Sequence, residues 1–168
     1  MIRKKSVNIH ATCVQLGAAG GAFDAPADAG VLLLGKSGAG KSDLALRLIA
    51  AGAKLVADDR CDLFVSGGML FARAPARLAG LLEVRNVGIL EISSVARARI
   101  ALVVELAPGA PRLPAHRRFR PPADLRLPAK AAPPVIKLAP FEASAPAKIA
   151  AAAAAYAYGL HRDDIDAI

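Results

Sequence analysis

Two groups of residues in this chain have the types and spacing to do chemistry. The first is Gly35-Lys36-Ser37-Gly38-Ala39-Gly40-Lys41-Ser42, which fits G-x-x-x-x-G-K-[ST]. Glycines in such a loop let backbone N–H groups turn toward phosphate oxygens, and the helix that follows adds the positive end of its dipole. Lys41 would reach the terminal phosphates of a nucleotide, and the Ser42 hydroxyl would ligate Mg²⁺. The second group is Asp58-Asp59, at the end of the apolar run Leu55-Val56-Ala57. Phosphoryl transfer needs a metal-binding acid and a group that orients or deprotonates the nucleophile, in addition to a phosphate cradle. Adjacent carboxylates on extended backbone point to opposite faces, so these two can play different roles, one toward substrate and one toward structure.

Weaker signals surround them. Glu83 and Arg85 are two apart and share a face on extended backbone. The carboxylate suits Mg²⁺ and the guanidinium suits bidentate phosphate binding, although a surface ion pair has the same pattern. Glu105 ends the apolar stretch Ile100 to Val104 and is a rival for the metal role. His10 lies in an apparent strand, where a lone histidine reads as structural. His116 and His161 receive no role.

These residues need elements to hold them. The run Val31-Leu32-Leu33-Leu34 before the glycine-rich loop reads as a buried central strand. Leu44, Ala45, Leu48 and Ile49 share one face of a helix from Asp43 to Ala51, with Gly52 as its stop. Val7 to Leu16 reads as one strand, Gly17 to Gly30 as a loose hairpin connection, and Lys54 to Ala57 as a second buried strand. Leu63-Phe64-Val65 and Met69-Leu70-Phe71 form a hairpin around Ser66-Gly67-Gly68. Leu81 to Ile92 reads as a loop closing into a short strand at Gly88-Ile89-Leu90, and Ile100 to Leu106 as another strand. Pro108 to Pro134 holds most of the twelve prolines and is expected to be an irregular, partly mobile excursion. Val135 to Leu138 is expected as an edge strand, and Pro146 to Leu160 as an alanine-rich helix.

The 168 residues suffice for one domain with a core. With aromatics at 4%, aliphatic side chains must build that core. Alanine supplies much of the apolar count and little burial, which points to a buried oligomer interface. The net charge of +8 concentrates in Arg3-Lys4-Lys5 and Arg117-Arg118-Phe119-Arg120. Neither cluster has the interleaved aromatics of a nucleic-acid module, so no nucleic-acid partner is expected. Cys13 and Cys61 have no metal or disulfide spacing and read as buried thiols of a cytosolic protein. The start lacks a signal-peptide pattern. Ile149 to Leu160, the longest apolar run, falls short of the roughly 18 residues a membrane span needs.

Gly35–Ser42, Leu55-Val56-Ala57-Asp58-Asp59-Arg60 and Leu82-Glu83-Val84-Arg85-Asn86-Val87-Gly88-Ile89-Leu90 together closely resemble the catalytic domain of the HPr kinase/phosphorylase family. The run Val-Ala-Asp-Asp-Arg after the loop helix is the distinctive part. The resemblance covers roughly residues 7 to 106, and Phe141 to Lys148 look like the tail of the short proteobacterial members. It implies an α/β, PEP carboxykinase-like kinase core: a mixed, largely β sheet, one helix after the phosphate loop and a C-terminal helix. A single catalytic domain over residues 1–168 is expected, with no separate N-terminal domain. The implied activity is ATP- and Mg²⁺-dependent phosphorylation of a serine on the HPr-type phosphocarrier protein of a bacterial phosphotransferase system. In reverse, inorganic phosphate attacks the phosphoserine to give pyrophosphate. A cytoplasmic hexamer is implied as well.

The resemblance also implies roles. Asp59 would be the acid/base, Lys41 would neutralise the transferring phosphate, and Ser42 and Glu83 would hold Mg²⁺. His10 matches the family's active-site histidine, and Asp58 and Arg85 fall to substrate or phosphate. Arg112, in Pro111-Arg112-Leu113-Pro114, is the best match to an active-site arginine in an Asp-Arg-Leu-Gly-like loop, and a poor one. Two positions depart from the family pattern: Ala11 and Asn86 stand where glycine is usual. A small-metabolite kinase, with Arg117, Arg118 and Arg120 forming an acceptor pocket, and a non-catalytic sensor of nucleotide or phosphate remain alternatives.

Overall fold

The computed structural model describes residues 5–17 and 23–162. Its strands are β1 (Ser6–His10), β2 (Thr12–Gln15), β3 (Ala29–Leu34), β4 (Lys54–Ala57), β5 (Arg60–Ser66), β6 (Met69–Arg73), β7 (Leu81–Val84), β8 (Gly88–Glu91), β9 (Ala98–Leu106), β10 (Arg117–Arg118) and β11 (Pro134–Leu138). The helices are α1 (Lys41–Ala50) and α2 (Ala145–Tyr158). The main sheet runs β1-β5-β6-β9-β3-β2-β4, with β11 added to β9 and β10 to β11. β3 and β11 are parallel to β9, and the other pairings in the sheet are antiparallel. β7 and β8 form a separate two-stranded sheet.

Strand alternation explains why the central sequence reads as an unbroken apolar run. Val31 and Leu33 of β3, with Leu102 and Val104 of β9, face one core together with Leu44 and Leu48 of α1 and Ile149 of α2. Leu32 and Val103 face the other core, with Cys13, Val56, Leu63 and Leu70. A strand covered on both faces has no polar side to show. Alanine serves α2 well: Ala145, Ile149 and Ala153 are its buried stripe at helical spacing. The scarce aromatics are paired where they meet across β5 and β6, with Phe64 on Phe71 at 5.6 Å between ring centres.

Most expected elements form, and the differences have physical reasons. The segment Val7 to Leu16 is two strands, because it changes partners at Ala11. β1 pairs with β5, whereas β2 lies between β3 and β4. The next such break is at Asp58-Asp59, where β4 ends and β5 begins. These two corners meet: Ala11 N–H donates to Asp59 O at 3.2 Å, and the Cys61 thiol donates to Ala11 O at 3.3 Å. The sheet therefore curls so that one end lies beside the other at the acidic pair. The connection from Gly17 to Gly30 falls partly outside the described residues.

Leu81 to Ile92 is a hairpin rather than a loop, with Val87 N–H closing its turn onto Val84 O at 2.9 Å. Asn86 holds φ 66° in that turn. The left-handed region is open to glycine and, among other residues, most readily to Asn and Asp. This accounts for Asn86 at a position where the family pattern has glycine. The Pro108–Pro134 excursion is irregular but anchored. Leu125 is buried, Phe119 and Leu127 pack on the second core, and β10 pairs with β11. Its two 3₁₀ turns follow Pro122 and Pro128, whose fixed φ starts a helical turn.

Candidate active site

The glycine-rich loop occupies residues 35–40 between β3 and α1. Gly38 and Gly40 have φ of 79° and 92°, a backbone that side-chain-bearing residues rarely adopt. That backbone brings α1 in with Lys41 as its first residue. Lys41 is 6% exposed, and its ammonium donates to Gly35 O at 2.9 Å and Lys36 O at 3.0 Å. Burial pulls its pKa below the usual lysine value, and the carboxylates of Asp59 and Asp58 partly offset that.

The acidic pair is split by a backbone reversal. Arg60 N–H donates to Asp58 O at 2.7 Å across Asp59, which has φ 62°. This is a three-residue γ-turn, a strained geometry of the kind that concentrates at functional sites. Its result is that one carboxylate turns in and the other turns out. Asp58 is 5% exposed. Its Oδ1 accepts from the hydroxyls of Thr12 and Ser42, both at 2.8 Å, and its Oδ2 accepts from Glu83 N–H at 3.2 Å. Three donors compensate for taking this carboxylate out of water. The Asp59 side chain is 67% exposed, with its Oδ1 3.2 Å from His10 Nε2.

A cavity of about 320 Å³ lies over these residues. His10, Lys41, Ser42, Asp59, Glu83 and Arg85 all line it, with Ser37, Gly38 and Gly40 of the loop. Glu83 and Arg85 come from the β7–β8 hairpin, which Asp58 ties to Ser42 through the Glu83 N–H. Residues 10, 41–42, 59 and 83–85 thus converge from four parts of the chain.

Three expected or rival site residues lie elsewhere. Asp58 does not line the cavity, because its oxygens are used by Thr12, Ser42 and Glu83. It orders the residues that do. Arg112 lines a different cleft, between the β9–β10 connection and α2, so it is not gathered with Asp59. Glu105 also faces away, at 2.6 Å from Arg117. Conversely, no local pattern marks Thr12, a fully buried polar residue whose partner is 46 positions away. Phe141 reads in the sequence only as part of the tail, yet it lines the cavity.

The donor set fits a divalent cation of one kind. Among the described residues no group of three or more His, Cys, Asp or Glu side chains could hold a metal. Mg²⁺, however, commonly takes one or two protein ligands plus phosphate oxygens and water. The Ser42 hydroxyl and the Glu83 carboxylate, both lining the cavity, match that sharing of ligands. Among the described residues, no helix is long and apolar enough to cross a membrane.

A buried lysine on a glycine-rich loop, a helix behind it and a carboxylate lining the same cavity form the candidate site of this α/β domain. Comparison with known proteins makes the class specific. The family model of the HPr Serine kinase C-terminal domain matches residues 18–113, and the chain belongs to that family. The HPr kinase/phosphorylase of Leptothrix cholodnii is 47% identical over 85 residues, covering 46% of this chain and 26% of that protein. The HPr kinase/phosphorylase of Clostridium beijerinckii is 44% identical over 66 residues, covering 39% and 22%. The chain thus spans about a quarter of the length of the curated relatives it matches. The structure of the Hpr(Ser) kinase/phosphatase from Coxiella burnetii superposes with a TM-score of 0.64 at 22% identity, over 86% of this chain and 91% of that one. That likeness supports the fold.

Proposed function

We propose that this domain transfers the γ-phosphate of ATP to a serine of an HPr-type phosphocarrier protein, with Mg²⁺, and that the same site runs the phosphorolytic reverse reaction. The observation that carries the reading is Asp59, turned outward by a strained γ-turn into the cavity that holds Lys41 and Ser42. In the forward direction its carboxylate accepts the serine proton as the serine oxygen attacks the γ-phosphorus. The bond to the β–γ bridging oxygen breaks and ADP leaves. In reverse, a phosphate oxygen attacks the phosphoserine phosphorus, Asp59 returns a proton to the departing serine oxygen, and pyrophosphate forms. One carboxylate serves both directions, since the base of one is the acid of the other.

His10, 3.2 Å from Asp59, orients that carboxylate. Lys41 leaves its loop carbonyls for the transferring phosphate, and Arg85 holds the phosphate from the hairpin side. Ser42 and Glu83 would ligate Mg²⁺, which supplies charge neutralisation at the phosphates. The loop residues Gly35 to Gly40 cradle the phosphate chain with their N–H groups. Val87 and Ile89 are exposed aliphatic residues on the hairpin that carries Arg85, and support contact there with the phosphocarrier or with another subunit of a hexamer. The buried free thiols of Cys13 and Cys61 suit a reducing, cytoplasmic setting. The arginines that a small-metabolite kinase would use, Arg117, Arg118 and Arg120, line another cleft.

Incubation with labelled ATP, Mg²⁺ and a phosphocarrier protein tests this. Label should appear on a serine with the wild type, and be lost with Asp59→Asn and with Lys41→Ala. No transfer by the wild type, or full activity in Asp59→Asn, would sink the reading.

A further inference from the structure

Phe141 is 69% exposed in a protein with few aromatics, and it stands at the glycine-rich loop. A Cβ on Gly40 would lie 2.8 Å from its Cζ. The ring is not loosely placed. Arg47 of α1 donates to Pro140 O and, at 3.1 Å, to Glu142 O, so the residues on both sides of Phe141 are tied to the helix behind the loop. Arg47 is itself held by Asp43, at 3.0 Å. An apolar ring fixed in solvent beside a phosphate-binding loop costs hydration free energy that a stacked partner would recover.

Phe141 also separates two chemically different spaces. On one side it lines the polar cavity of Lys41, Ser42 and Asp59. On the other it lines an apolar cleft of about 450 Å³ formed with Ala39, Leu106, Ala107, Pro108 and Pro140. Ala39 belongs to the loop itself, so the cleft and the phosphate cavity share a wall. A nucleotide has this same polarity, with a charged chain at one end and a flat π-system at the other. With the γ-phosphate at Asp59 and the chain along the loop, the base needs an apolar surface next to that loop.

We infer that Phe141 is the stacking platform for the nucleotide base, which enters the apolar cleft beside Ala39 and Pro108. This rests on the phosphate-loop reading proposed above and adds the base subsite to it. Stacking on an aromatic ring tolerates any base, because every base presents a π-face.

The test separates base from phosphate. Binding of Mg²⁺–ATP and of Mg²⁺–tripolyphosphate, which has the phosphates and no base, is measured by calorimetry on wild type and Phe141→Ala. ATP affinity should fall about tenfold to a hundredfold in the variant, while tripolyphosphate affinity stays within about twofold. The chain has no tryptophan, so Phe141→Trp gives a single reporter whose fluorescence should be quenched by ATP and not by tripolyphosphate. This second variant decides the matter if Phe141→Ala folds poorly. Unchanged ATP affinity in Phe141→Ala, an equal loss of tripolyphosphate, or an equal fluorescence response of Phe141→Trp to both ligands overturns the base seat alone. A wild type that binds neither ligand overturns both the seat and the phosphate-loop reading.

Discussion

Ser42 Oγ donates to Asp58 Oδ1 at 2.8 Å, joining the last residue of the glycine-rich motif to the first of the acidic pair. The same carboxylate receives Thr12 from β2 and the Glu83 N–H from β7. One buried side chain thereby fixes the relative positions of the loop helix, the sheet corner and the hairpin. Asp58→Asn keeps the shape but puts an amide NH₂ where an acceptor was, leaving a donor facing a donor. The variant should lose about 1–3 kcal/mol of stability, the usual cost of a buried group left unsatisfied. Urea unfolding measures that loss. Phosphorylation should fall too, through displacement of Ser42 and Glu83, and wild-type values for both stability and activity would remove Asp58 from this role.

Asp59 poses the opposite case, in which strain and chemistry trade against each other. Its φ of 62° within a γ-turn is a sparsely populated backbone of the kind that costs about 1–3 kcal/mol. Asp59→Gly should therefore stabilise the fold by about 1 kcal/mol, less the entropy glycine returns to the unfolded chain. It should also remove the proposed acid/base, with a drop of about 10²–10⁴-fold in phosphorylation. Asp59→Asn should show that activity loss with wild-type stability, since Asn accepts the same backbone. A thermal melt and a rate assay on both variants check the pair. Activity that survives in Asp59→Gly would assign the proton transfer to another group.

The loop, the acidic pair and the central strands are legible in the sequence because each is a local signal. An octapeptide motif, a buried apolar run and a Gly-Gly turn carry their meaning in neighbouring residues. Where distant segments meet is not written locally. Thr12 is an unremarkable polar residue in an apolar strand until its hydroxyl is seen on Asp58, 46 positions away. Val7 to Leu16 has the pattern of one strand and forms two, since the change of partner at Ala11 depends on the curl of the whole sheet. Arg112 is only a poor match to the family's arginine loop, and the β9–β10 connection that carries it leads to another cleft, beside β11 and α2.

The two cysteines give a pH-dependent prediction. Burial pushes both thiols above their usual range, reinforced at Cys61 by the charge of Asp58 and at Cys13 by Cys61. The folded protein thus keeps these protons where the unfolded chain, with a thiol pKa of about 8.5, loses them. Stability from this source is fully present below about pH 8.5. Above it, stability falls as pH rises, by up to about 1.4 kcal/mol per pH unit for each thiol. Urea midpoints between about pH 7.5 and 10 should decline, and the decline should shrink in Cys13→Ala/Cys61→Ala. In the native protein at about pH 8 both thiols should resist a disulfide reagent, and react at once in denaturant. Rapid native labelling of either would show that the corner at Ala11 opens.

The hairpin turn separates geometry from chemistry at the cavity rim. Asn86, at φ 66°, allows Val87 N–H to close on Val84 O, and the turn sets the position of Arg85 beside the cavity. Glycine accepts that backbone without a side chain, so Asn86→Gly should leave phosphorylation within about twofold. Asn86→Val should cost more, because a β-branched residue is a steric outlier at positive φ. The hairpin forms its own two-stranded sheet, so the strain should loosen it locally and leave the main core intact. The expected signature is a lowered kcat/KM in Asn86→Val with a melting temperature close to wild type, and faster amide exchange confined to residues 81–91. If Asn86→Gly is as impaired as Asn86→Val, the Asn86 side chain itself contacts the substrate and the turn geometry is not what this position supplies.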